Sequence, residues 1–114
     1  MEEREPPVEE RRKYPRFPLS CPIAFSGDLI AGEGNVVNIS KLGCAVQSDQ
    51  QVEEGAYLNL FLRLPEGAVP VKIELAVVRG ARGGLFGMEF IRIHPTAQER
   101  LHGFIQSLEM LPSE

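Results

Sequence analysis

The chain of 114 residues has no tryptophan, two cysteines and two histidines. Cys21 and Cys44 each sit inside an apolar, strand-like run, and together they form neither a disulfide framework nor a zinc pattern. Their ordinary reading is as small buried hydrophobes. His94 and His102 lie near the C-terminus without a partner at metal-binding spacing, so no metal site is expected. No paired carboxylates and no His or Cys beside a carboxylate motif appear, so the chain is not expected to be an enzyme. No apolar run reaches the roughly eighteen residues of a bilayer-spanning helix, and no direct membrane insertion is expected. The acidic opening MEEREPPVEE has no apolar stretch behind it. A secretory signal is therefore not expected, and a cytoplasmic location is the default.

Positive charge is also in short supply: 12 Lys and Arg stand against 16 Asp and Glu, for a formal net charge of −4. Aromatic residues make up only 7%. Both counts argue against a DNA- or RNA-binding face, which needs broad positive charge and stacking rings. A small phosphate ligand needs only a local basic patch. Placement of charge matters more than its sum.

What is present is a succession of short strands. CPIAFSG sets Cys21, Ile23 and Phe25 on one side. GNVVNIS sets Val37 and Ile39 on one side, with Val36, Asn38 and Ser40 on the other. LNLFLRL sets Leu58, Leu60, Leu62 and Leu64 on one face, and VPVKIELAV does the same with Val69, Val71, Ile73, Leu75 and Val77. Such period-two alternation marks strands with one buried face. Glycine-containing turns such as Ser26-Gly27-Asp28, Pro65-Glu66-Gly67 and Gly83-Gly84 separate the runs. Neither βαβ spacing nor a phosphate-loop glycine pattern occurs, so doubly wound folds are disfavoured. The expected fold is all-β, a small closed or half-closed antiparallel barrel, with a sandwich as the alternative.

Near the C-terminus the period changes. Thr96, Ala97, Gln98 and Glu99 read as a capping box just after Pro95. Leu101, Phe104, Ile105 and Leu108 then form one apolar stripe at helical spacing. The division expected along the chain is a mobile acidic tail over 1–10, a barrel with its leading arm over 11–95, and a covering helix over 96–111.

Two polar stretches stand out against this frame. RRKYPR places Arg11, Arg12, Lys13 and Arg16 within six residues. Pro15 disfavours a helix at Tyr14, so the segment reads as an extended arm leading into the first strand. Taken alone, such a run is ordinarily a solvated patch, here offset by Glu9 and Glu10. Its functional reading is anion recognition, because the planar arginine fork grips phosphate oxygens or the O6/N7 edge of guanine bidentately. In the second stretch, NISKLG, Asn38 and Ser40 are expected to project together from the outside of the barrel. Gly43 then allows a sharp turn or the close approach of a ligand. Alone, this stretch fits a polar outer face ending in a turn as well as a binding ledge.

RRKYPR followed by NISKLG resembles the PilZ domain, whose hallmark is an R-x-x-x-R arm and a [D/N]-x-S-x-x-G strand-turn. Arg12 to Arg16 match the first motif, and Asn38, Ser40 and Gly43 the second. The resemblance covers nearly the whole chain, and GLFGMEFIRI looks like the family's closing strand. It implies a six- or seven-stranded antiparallel β-barrel with a following α-helix, and binding of cyclic di-GMP. By the same resemblance, Arg12 and Arg16 would hold phosphate and a guanine O6/N7 edge, and Asn38 and Ser40 a second guanine edge, with Gly43 permitting close contact. Arg11 would go with two stacked copies of the ligand. Lys13 and Arg79 read either as auxiliary contacts or as plain surface charge. Many members carry aspartate where this chain has Asn38. An amide has one acceptor oxygen where a carboxylate has two, so weaker affinity is expected. The implied mechanism is a switch: ligand bridges the mobile arm to the barrel, and an unidentified protein partner reads the new surface. The rival is a structural adaptor of the same fold that binds no nucleotide. Monomer and homodimer both stay open.

Overall fold

The computed structural model describes residues 15–65, 67 and 69–110. Six strands form the barrel: β1 (Phe17–Ser26), β2 (Ala31–Ile39), β3 (Gly43–Gln47), β4 (Tyr57–Leu62), β5 (Val71–Arg82) and β6 (Leu85–Arg92). All pair antiparallel in the closed order β1-β2-β3-β6-β5-β4. One helix, α1 (Pro95–Glu109), follows. The closed antiparallel barrel with a C-terminal helix is the architecture expected.

Alternation dictates most of the core. Cys21, Ile23 and Phe25 point inward from β1, and Leu58, Leu60, Leu62 and Leu64 from β4 and the residues after it. Phe25 and Phe86 meet edge to face across the interior, with ring centroids 5.5 Å apart. In two strands the expected parity fails. A bulge between Val36 and Asn38 gives β2 one residue more than β3, so Val36 and Ile39 are fully buried and Val37 is displaced. In β5, Val71 and Ile73 face the core, but register shifts then bring Ala76 and Val78 inward. Leu75 is only half-buried there and Val69 is exposed, while Val77, paired with Tyr57 and Glu89, is buried as expected.

The helix also starts differently from its expected capping box. His94 is the N-cap, its Nδ1 accepting from Thr96 N at 3.1 Å, and Pro95 takes the first helical position. Proline suits that position because its missing N–H would have no intrahelical partner there. Leu101 and Ile105 are buried against the barrel, with Phe104 and Leu108 packed beside them. Arg100 pins the helix further, its guanidinium donating to the carbonyls of Pro70 and Val69 in the β4–β5 connection. No helix among the described residues is long and apolar enough to cross a membrane.

Cys21 and Cys44 are buried free thiols on β1 and β3, with β2 between them. Two interstrand spacings separate their backbones by about 10 Å, beyond the reach of a disulfide. Burial pushes the Cys21 thiol up to about 11. Burial, and secondarily Cys21, push Cys44 up to about 12 against the opposing pull of Arg16. Both thiols are therefore neutral in the folded protein and ionise more readily once unfolded. Their contribution to stability is complete below the unfolded value of about 9 and is lost as pH rises toward 12. Thiol labelling at pH 8 should leave both cysteines unmodified in the native protein and modify both in urea. Rapid labelling without denaturant would contradict this burial.

Candidate functional site

The register of the first two strands decides where the basic arm meets the polar motif. Phe17 pairs with Ile39 and Pro18 with Asn38. Arg16, one residue ahead of β1, is thus delivered to the end of β2. Its Nη1 donates to Asn38 Oδ1 at 3.5 Å, across 22 residues of sequence. The contact is long and exposed, and among the described residues the arginine has no carboxylate partner. A cation held beside a neutral amide keeps its charge available to an anion.

The β2–β3 turn splits the expected ledge. Asn38 stays half-buried at the outer surface, but Ser40 is turned in and is only 5% exposed. Its outward hydroxyl, expected beside the Asn38 amide, is instead engaged with the β2–β3 turn. Ser40 Oγ accepts from Leu42 N at 3.1 Å and donates to Gly43 O at 3.5 Å, while Ser40 N donates to the same carbonyl at 2.8 Å. Such short side-chain bonds to backbone are what suit serine to turns.

Gly43 has a different function from the turn flexibility expected of it. The glycines with positive φ are Gly55, Gly83 and Gly84, and Gly43 is not among them. A Cβ on Gly43 would lie 2.1 Å from the Met88 carbonyl oxygen and 3.3 Å from Glu89 Cα. Its missing side chain lets β3 and β6 close on each other. The motif therefore divides its work: Asn38 faces outward, Ser40 ties the turn, and Gly43 admits the next strand. Phe90 N donates to Leu42 O at 2.8 Å, fixing the turn tip to β6. Burial first, then the charge of Lys41, hold the His102 imidazole on α1 below its usual range.

Arg79 lies on β5, with Nε 2.7 Å from Glu89 Oε1 on β6. Glu89 is in turn the cross-strand partner of Gly43. Sequence reading noted Arg79 but passed over Glu89. The inward positions Phe86 and Met88 in GLFGMEFIRI could have placed Gly87 and Glu89 outside. Arg11, Arg12 and Lys13 lie outside the described residues.

The molecule is a small closed antiparallel β-barrel with a turn motif beside an arginine at the head of its first strand. The PilZ domain family model matches residues 10–107, and the chain belongs to that family of cyclic di-GMP receptors, whose members are regulatory and not enzymes. Among solved structures, the inhibitor of motility MotI/DgrA of Bacillus subtilis is similar with TM-score 0.68 and 24% identity, over 94% of this chain. This chain spans 58% of that one. The PilZ domain of YcgR from Escherichia coli, solved with c-di-GMP, is similar with TM-score 0.61 and 17% identity, over 87% of this chain and 92% of that one. The PilZ domain of CeSA from a cellulose-synthesizing bacterium has TM-score 0.64 and 15% identity, over 82% and 97%. At such identities these structures establish the fold. No curated protein matches the sequence.

Replacing Gly43 with alanine should lower stability by about 3 kcal/mol or more, because the clash is with backbone that cannot move aside. Gly87→Ala, where a Cβ meets nothing within 4 Å, should stay within about 0.5 kcal/mol of wild type. Urea denaturation compares the two, and equal midpoints would contradict the close-approach account.

Proposed function

We propose that this protein is a cyclic di-GMP receptor whose arginine arm closes onto the barrel when ligand binds. The carrying observation is the Arg16–Asn38 contact, which brings the arm motif and the strand-turn motif to one place. Family membership supports the same ligand. A doubly anionic dinucleotide with two guanines asks for arginine forks and small polar groups at base edges. Arg16, with Arg12 and Arg11 ahead of it, takes phosphate oxygens and the O6/N7 edge of guanine. Asn38 meets a guanine edge with its amide. Ser40 and Gly43 act through the turn they build, holding Asn38 in place and keeping the surface low. Binding energy is partly used to order residues 11–16, and a partner protein reads the resulting surface.

Among the described residues Arg16 meets a neutral amide and no carboxylate, so recruiting it to phosphate breaks no ion pair with them. The Arg16→Ala variant should keep its fold and lose roughly ten- to a hundredfold in affinity, the size of a lost charge-assisted hydrogen bond. Isothermal titration of wild type and variant measures this. A folded wild-type sample giving no heat at tens of micromolar c-di-GMP would reject the receptor reading in favour of an adaptor.

A further inference from the structure

On the outer wall of the barrel, register sets five residues on one face. Cys44 and Val46 point into the core, so alternation turns Ala45 to the other face, where it is only 8% exposed. Gly43 lies there with its Cα against the β6 backbone. Asn38 pairs with Ala45, Ala45 with Gly87, and Gly43 with Glu89. The middle of this face therefore carries two glycines and one methyl group. Above Gly87 an added Cβ would meet nothing within 4 Å. Asn38 with Arg16 bounds the low floor on the β2 side, and Glu89 with Arg79 on the β6 side. Two interstrand spacings, about 10 Å, separate those borders. A flat purine lying on the floor would meet a polar group at either end.

The chemistry of the far border is acceptor chemistry. A carboxylate only accepts, with about four lone-pair sites, and the bond from Arg79 Nε uses one of them. Guanine presents N1–H and its 2-amino group side by side, two donors that match one carboxylate. An amide such as Asn38 supplies a single acceptor oxygen. We propose that Glu89 is a guanine-recognising group of this face. Its carboxylate accepts from N1–H and the 2-amino group of one guanine, and Arg79 fixes its direction. The assignment rests on the cyclic di-GMP reading above, and it restores the anionic acceptor that Asn38 lacks.

The competing role has the opposite sign. As a mere counter-ion to Arg79, Glu89 would repel a dianionic ligand, and neutralising it would strengthen binding. The experiment is isothermal titration of wild type and Glu89→Gln with c-di-GMP, and with the analogue in which both guanines are replaced by hypoxanthine, which lacks the 2-amino group. Glu89 is half-exposed, so circular dichroism should show both proteins folded. Glu89→Gln should weaken c-di-GMP binding about tenfold and narrow the preference for it over the analogue. Unchanged or tighter binding by the variant, or an equal loss for both ligands, overturns the assignment while leaving the receptor reading intact. A wild type that binds neither ligand ends both.

Discussion

The pairing of Pro18 with Asn38 is the constraint on which the site depends. A strand's side chains alternate with period two, so one residue of slip would exchange the inner and outer faces. Here the slip is built in: the extra residue at Val37 lets Val36 and Ile39 both face the core, with Asn38 left at the surface between them. Without that bulge, Val36 and Ile39 could not both face the core. The same register brings Arg16 to the amide. Core packing and site geometry are therefore set by one set of backbone hydrogen bonds.

Electrostatics then acts locally, against the sign of the whole chain. The net charge is −4, yet the head of β1 presents an arginine beside a neutral partner. Exposed charges more than about 10 Å away are largely screened at physiological salt, so the acidic balance elsewhere does little to an anion at this spot. The Arg79–Glu89 pair, also exposed, adds little to stability. Its interest lies in where it stands, across a floor of Gly43, Ala45 and Gly87 from Asn38.

Legibility followed the regularity of the strands. The four leucines of β4 and its continuation alternate without interruption, and their burial was readable from spacing alone. In β2 the adjacent Val36 and Val37 are chemically equivalent, so nothing in the residues marks which one the bulge displaces. Ser40, read as facing outward, was found closing a turn, because the strand ends at Ile39 and alternation no longer applies. The helix was visible from its apolar stripe, but its cap was not, because His94 accepting from Thr96 leaves no pattern as recognisable as a serine or threonine box. Gly43 was noticed for its residue type. Its reason, the carbonyl of Met88 on a strand more than forty residues away, exists only once β3 and β6 are paired.

The central claim is that one guanidinium and one amide, set side by side by strand register, form a single binding site. Side-chain NMR during a titration with c-di-GMP tests it most directly. The Arg16 Nε–H and Asn38 amide signals should both shift, with a common midpoint matching the ligand affinity. Ligand binding that leaves both signals unmoved, or moves them at different midpoints, would contradict the claim.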